Sequence, residues 1–404
     1  MTRSSLNVLF VHEVDLLHKV VYDIQIIMAH LSAKGHKVYA IDCADPNPRA
    51  FFEMLRTRSL QMPKVNGKGN VELFRPPVVG LPILNRASSV ISDYPLIRQV
   101  IEEKEIDLVM VYSAPTNGIQ AVRLARAAGL PVAFKAIDFL RELVRFPLLK
   151  EFTSLAEGMM YRTADCIIAS TPRIKNEAVR RGADPNRVFL SPNGVDPEVF
   201  RPQARDAGLA SEFGIEPDDR LVVFVGSLFD FCGVESIVRR FENLASIAPN
   251  TKLLVVGDGP DRNRIEGLVR RMGLSQRVRL TGLRPFQEIP KYINLADVCV
   301  LPFDLNNITR GIFPIKVVQY LSCGKPVLST VLPGVRDFLP PEESGVIYAE
   351  PEKFVSTLGN LLVDLGRAKM LGMNGRAFVS NNFTWAQIID ELETKLVSLV
   401  REGH

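Results

Sequence analysis

Several things are missing from this 404-residue sequence, and each absence narrows what it can be. No apolar run approaches the roughly 20 residues a helix needs to cross a bilayer, and Met1 to Val11 holds Arg3 with too short an apolar stretch for a secretory signal core. Cysteine is scarce: Cys43, Cys166, Cys232, Cys299 and Cys323 are scattered without metal-ligand spacing. Reduced, buried thiols in a cytosolic protein are therefore expected, with no metal site. His12, His18, His30 and His36 show no ligand spacing either; only His12, or Glu13 beside it, falls where a cleft would be bordered. The formal charge of +4 is too small for a nucleic-acid binder and favours anionic small ligands or surfaces. The dinucleotide fingerprint G-x-G-x-x-G is absent, because Gly257-Asp258-Gly259 is followed by Arg262 at the place of its last glycine.

What is present is globular: 47% hydrophobic and 23% charged residues, in a chain long enough for two domains. Leu6–Val11, a helical pattern through Ile24, Ile27, Met28 and Leu31, and His36–Ile41 open the chain as strand, helix, strand. Residues 43 to 86 lose periodicity and read as a long proline-marked excursion with at most one helix. Alternation returns with strands at 107–112, 132–137, 166–169 and 187–190, and one long helix over 139–163. After Val195–Pro202 it restarts, with strands at 221–225, 252–256, 277–281, 297–301, 326–329 and 345–348. Strand and helix alternating twice predict an α/β protein with two Rossmann-like, doubly wound parallel sheets facing across a cleft. The expected domains are 1–200, 201–380, and a last helix, 381–404, whose stripe of Trp385, Ile388, Ile389, Leu392 and Leu396 packs back on the first.

Ligands of open parallel sheets bind beyond the carboxyl ends of strands. The loops Gly226-Ser227-Leu228, Gly257-Asp258-Gly259 and Thr281-Gly282-Leu283 are therefore site candidates. So is the stretch Arg310-Gly311-Ile312-Phe313-Pro314-Ile315-Lys316, which reads as a helix mouth built for an anion. Pro314 suits the first helical position. The amides of Ile315, Lys316 and Val317 lack intrahelical partners there, and Lys316 adds a full charge to the helix dipole. Gln319 lies three residues on, on the face of Lys316.

Asn193-Gly194-Val195-Asp196 with Phe200, Gly257-Asp258-Gly259-Pro260, Thr281-Gly282, Ala296-Asp297-Val298 with Leu301-Pro302, and Gly324-Lys325-Pro326-Val327 form an ordered series. Together they resemble the nucleotide-sugar-dependent glycosyltransferases of the GT-B fold, family 4 in particular. The resemblance implies a metal-independent glycosyltransferase of hexosyl type without a cofactor. Its nucleoside diphosphate sugar would sit in the second domain, and a glycan, small-molecule or lipid-linked acceptor in the first. It would place Leu283 and Arg284 at the nucleobase, the Pro314 mouth at the diphosphate, and Gln319 where the family has a ribose-gripping glutamate. Gly311 stands at the family's other glutamate, and Ser227 and Cys232 replace its phosphate-binding arginine and lysine. Diphosphate binding then falls to backbone amides, Lys316 and Arg310. These departures keep open a noncatalytic nucleotide-binding or partner subunit, and a nucleotide-sugar epimerase is a third reading.

Asp138 ends the strand at 132–137. It reads either as a helix N-cap or as the base that takes an acceptor hydroxyl's proton. Phe139, Leu143, Phe146, Leu148 and Leu149 with Arg141, Arg145 and Lys150 suit a membrane surface, though packing within the first domain is the expectation. Basic residues between Cys43 and Asn70 suggest peripheral association with an anionic inner membrane face.

Overall fold

A computed structural model describes residues 5–18, 21–46, 51–81, 84–144 and 146–402; Arg3 and Arg145, named above, lie outside them, as does Arg49 among the basic residues between Cys43 and Asn70. The chain divides into two compact units, Met1–Pro192 with Ile388–His404, and Asn193–Gln387. Among the described residues no helix is long and apolar enough to cross a membrane.

Unit 1 is built on β1 (Asn7–Val11), β2 (Lys37–Ile41), β3 (Arg58–Gln61), β4 (Val71–Arg75), β5 (Leu108–Val111), β6 (Val132–Ala136), β7 (Cys166–Ala169) and β8 (Val188–Leu190). Their order in the sheet is β3-β4-β2-β1-β5-β6-β7-β8, and β3 is antiparallel to β4. The central strands are buried along their whole length, as a sheet covered on both faces requires. Strand order reverses between β1 and β5. Within the stretch expected to be irregular, β3 and β4 are strands, paired Arg58 to Arg75 through Gln61 to Glu72.

Beneath this sheet edge lies a buried ion triad. Arg75 donates from Nε to Asp42 Oδ1 (2.8 Å) and from Nη2 to Asp42 Oδ2 (2.8 Å) and Asp15 Oδ1 (2.5 Å). It ties the loop after β1 to the ends of β2 and β4. The last helix, Trp385–Glu402, contributes its second half to unit 1. Glu393 there accepts from Lys34 Nζ (2.6 Å) and from His36 Nε2 (2.8 Å), while His36 Nδ1 accepts the Leu6 amide (3.0 Å). That pairing fixes the His36 tautomer with its proton on Nε2.

Unit 2 carries β9 (Arg220–Val225), β10 (Thr251–Val256), β11 (Val278–Gly282), β12 (Val298–Leu301), β13 (Val327–Thr330) and β14 (Val346–Ala349). The order is β11-β10-β9-β12-β13-β14, all parallel, with the reversal between β9 and β12.

Candidate functional site

In unit 2 the loops that leave β9, β10 and β11 are laced backbone to backbone at the carboxyl edge. Gly226 N donates to Val256 O (2.8 Å), Leu228 N to Asp258 O (3.0 Å) and Gly257 N to Gly282 O (3.0 Å). A Cβ on Gly257 would stand 2.1 Å from Gly226 O, and one on Gly259 2.5 Å from Leu228 O. Glycine is thus required for the loops to close on each other, which leaves half-buried Ser227 between two fixed turns.

The helix Ile315–Ser322 begins beside this edge. Pro314 is its N-cap, not its first residue: with ψ at 130° it is still extended, so the chain turns helical only at Ile315. Val317 N donates to Pro314 O (3.1 Å), which leaves two amides at the mouth without a partner among the described residues, those of Ile315 and Lys316, where three were expected. Val225 N donates to Tyr320 Oη (2.7 Å), locking this helix to the end of β9.

Lys316 reaches back to the point where strand order reverses. Its Nζ lies 4.5 Å from the ring centroid of Phe224 on β9 and 4.9 Å from that of Phe303 just beyond β12. It passes so close to Gly226 that a Cβ there would stand 2.1 Å from it. Burial pulls its pKa down to about 8, with the Cys232 thiol the one neighbour acting the other way. Burial in turn pushes the Cys232 thiol up. No ion pair or hydrogen bond of this ammonium forms among the described residues. A desolvated cation held over two ring faces beside two free amides is suited to an anion.

The other expected contacts fall around it unevenly. Gln319 is buried one turn along the same helix, and Arg310 is exposed on the loop before it. Leu283 stands out of the surface at 59% exposure. Arg284 does not stand free: its guanidinium lies 5.8 Å from the Phe213 ring and 5.7 Å from the Tyr292 ring, and 3.4 Å from Glu212 Oε1. Its charge is engaged by the protein's own side chains.

In unit 1 the corresponding edge gathers groups that sequence reading singled out only in part. Asp138 follows β6, but it caps no helix. Phe139 is the N-cap of a short 3-10 turn, Leu140–Leu143, and the helix expected from 139 starts at Pro147. Pro147 lacks the amide to continue a helix from the preceding turn and is preorganised to begin one. Asp138 is half-buried, and its pKa is pushed up to about 6, chiefly by burial and then by the charges of Asp23 and Glu157. Glu157 accepts from the Leu140 amide (3.1 Å) and Tyr161 Oη (3.2 Å) and pairs with Arg181.

Asp23, in the first turn of the helix Asp23–Ala33, is itself raised by burial, against the pull of Lys135. Lys135 is fully buried on β6, its pKa lowered by burial to about 8, and donates to Ser191 O (2.8 Å). His12 lies 5.6 Å ring to ring from Tyr112, and burial with the Arg86 charge lowers it to about 3. His12 Nδ1, Asp23 Oδ2, Tyr112 Oη and Ser191 Oγ have no hydrogen-bond partner among the described residues. The signals missed were a lysine within the apolar strand Val132-Ala133-Phe134-Lys135-Ala136 and an aspartate opening a buried helix.

Residues 219–364 match the family model described as glycosyl transferases group 1, and residues 23–194 match the glycosyl transferase 4-like domain. The chain is 25% identical over 256 residues to a D-inositol 3-phosphate glycosyltransferase of Segniliparus rotundus, an alignment covering 62% of this chain and 56% of that protein. It thus spans a little over half the length of such curated relatives. Its fold is similar to that of sucrose-phosphate synthase from Thermosynechococcus elongatus (TM-score 0.76, 20% identity, covering 98% of this chain and 100% of that one). It is also similar to Anabaena HepE in complex with UDP-glucose (TM-score 0.74, 17% identity, covering 97% and 100%). These likenesses establish a GT-B architecture.

Proposed function

The chain belongs to the glycosyl transferases group 1 family, and on that premise we propose that it moves a sugar from a nucleoside diphosphate sugar to an acceptor hydroxyl. The observation that carries this reading is the half-buried Lys316, its ammonium held over two rings without a counter-ion among the described residues, at the reversal point of the unit 2 sheet. When the bond from the sugar's anomeric carbon to the diphosphate oxygen breaks, the electron pair stays with the diphosphate. Lys316 and the amides of Ile315 and Lys316 are fixed before the reaction where that charge grows, so they favour the transition state without reorganising. Gln319 would reach the ribose side of the nucleotide, and Leu283 the base.

Unit 1 holds the acceptor, a glycan or a lipid-linked molecule, and the protein works in the cytoplasm, associating peripherally with the membrane. Asp138 takes the acceptor hydroxyl's proton as its oxygen bonds to the anomeric carbon; a base raised to about 6 remains ionised at neutral pH yet is strong enough for this role. Such a base implies inversion at that carbon. Nucleotide release from a panel of UDP-, GDP- and ADP-sugars tests the reading: turnover of at least one, lost in Lys316→Met, is expected. Turnover of none with any simple acceptor, together with no nucleotide binding by calorimetry, overturns it.

A further inference from the structure

The loop that leaves β9 carries more than the turn beside Lys316. Phe229 on it is 43% exposed, the one aromatic side chain of unit 2 exposed to that degree among the described residues. Its ring stacks on that of Phe231, with 5.5 Å between centroids and 20° between planes. Phe231 meets Phe303 edge to face at 5.7 Å and 77°, and the Phe303 ring lies 4.9 Å from Lys316 Nζ. A series of rings thus runs from the anion mouth out to solvent, with Phe229 as its outer member. Since one face of Phe229 is taken by Phe231, its exposure falls on the other face and the rim.

The backbone holds that face where it is. Leu228 N donates to Asp258 O (3.0 Å) and Leu228 O accepts from Asp261 N (3.0 Å), Phe229 O accepts from Cys232 N (3.0 Å), and Phe231 O accepts from Asp304 N (2.9 Å). The ring is therefore in place before a ligand arrives, and no loop has to be ordered at binding. Two residues back, half-buried Ser227 forms no hydrogen bond among the described residues, so its hydroxyl is available at the same turn. A fixed aromatic face with a free hydroxyl near it and a cation behind it is a combination that suits one kind of ligand. The C–H groups on one side of a pyranose present the positive ends of their dipoles, which the negative face of an aromatic ring attracts, while the hydroxyls at its rim seek polar partners.

We propose that the outer face of Phe229 is the platform for the sugar of the nucleotide sugar, a pyranose lying with one C–H face against the ring. This rests on the function proposed above, and it is argued within unit 2 alone. A diphosphate held by Lys316 and the amides of Ile315 and Lys316 carries its sugar on the oxygen beyond the second phosphate, and the ring series leads from that ammonium to Phe229 in steps of less than 6 Å. The platform gives the site a preference that the anion mouth lacks. A bare nucleoside diphosphate meets Lys316 and the amides as well as a nucleotide sugar does, but only the nucleotide sugar covers the ring.

The test compares bare and sugar-bearing nucleotides by calorimetry on the full chain: UDP with UDP-glucose, GDP with GDP-mannose and ADP with ADP-glucose. For the pair that binds the parent, Phe229→Ala should weaken the nucleotide sugar about 3- to 10-fold, the worth of one ring-face contact, and leave the bare diphosphate within about twofold. Phe229→Tyr should keep the parent affinity, whereas Phe229→Leu, with apolar bulk but no flat face, should not; this conservative pair decides the matter if the alanine variant melts well below the parent. In Phe229→Trp the nucleotide sugar should change the new indole's emission and the bare diphosphate should not. Equal weakening of both ligands overturns the proposal, because the loop would then only brace the anion mouth. So does full affinity in Phe229→Leu, or an effect confined to the KM of the acceptor. Nucleotide-sugar turnover separates the two readings. Turnover with unchanged binding in Phe229→Ala removes the platform alone; selective weakening without turnover leaves the platform and removes the transferase; a parent that binds none of the six ligands removes both.

Discussion

Asp138→Asn should make the protein more stable and less active at once. The carboxyl's pKa rises from 3.8 to about 6 in the folded state, for want of solvent and because Asp23 and Glu157 face it. A raised acid pKa means that folding disfavours the ionised form. The unfolded carboxyl ionises near its ordinary value, the folded one near 6, and above pH 6 the folded state carries the full penalty. Each unit is worth 1.36 kcal/mol, so a rise of about two units corresponds to about 3 kcal/mol. Partial exposure reduces this to about 1 to 2 kcal/mol. Asparagine has the same shape and no charge, so at pH 7 the variant should melt about 2 to 6 °C higher, given a unit of this size. That gain should shrink toward zero as pH falls from 6 to 4, where the parent is protonated. Loss of the base should lower turnover about 10² to 10⁴-fold. Thermal melts across pH 4.5 to 7.5 and nucleotide-release rates check the two halves. A variant that melts lower than the parent at pH 7 would refute the electrostatic argument, and one with near-normal turnover would remove the base.

Lys316→Met should raise the nucleotide dissociation constant by 1.5 to 3 kcal/mol, about 10- to 150-fold, as for a charge-assisted hydrogen bond in a shielded site. In the parent, nucleotide affinity should decline as pH rises past about 8, because the neutral amine no longer attracts the anion; calorimetry at pH 7 and 9 reads both effects. Arg75→Met leaves the Asp42 carboxylate buried without its cation and Asp15 with only His18 as a side-chain partner, and should cost about 3 to 5 kcal/mol, visible as a lower melting temperature and poor soluble yield. In Glu393→Ala the acceptor of His36 and Lys34 disappears, at a cost of about 1 to 3 kcal/mol. Burial opposes ionisation of Glu393, but those two partners outweigh it and hold its pKa below the ordinary value. The parent should therefore lose this contribution as pH falls through the carboxylate range while the alanine variant has none to lose, a difference that limited proteolysis of the last helix would detect.

The alternation of the chain was legible because fully buried parallel strands read as short apolar runs between glycine-stopped helices. All six strands of unit 2 lie within a residue or two of where the runs place them. β3 and β4 were not legible. Arg58-Ser59-Leu60-Gln61 is a polar edge strand with half its side chains in solvent, and Val71-Glu72-Leu73-Phe74-Arg75 ends in an arginine whose burial depends on carboxylates from distant loops. The anion mouth was visible from Pro314 and Lys316. That Lys316 turns back over Phe224 and Phe303 was not, since it depends on which strands adjoin in space. The polar groups around Asp138 were hidden for the same reason: Asp23, Tyr112 and Lys135 come from three segments and acquire their shared character only when the sheet assembles. The apolar run after Asp138 was assigned to packing, yet Leu148 and Leu155 are exposed while Ala156 and Met160 of the same helix are buried: sequence distinguishes an amphipathic stripe but not which of two stripes meets the core.

The last helix has a consequence for how the chain is put together in time. The polypeptide leaves unit 1 at Pro192 and returns to it at Ile388, so unit 2 is in effect an insertion within unit 1. A ribosome that has released residues 1–192 has made all eight strands of the first sheet but not the buried Leu392 and Leu396, nor Glu393, which pairs with Lys34 and His36. Unit 2 is contiguous and can close as soon as it emerges. The unit that begins first is therefore completed last, and through the interval Lys34 and His36 wait for the Glu393 carboxylate that will pair with both.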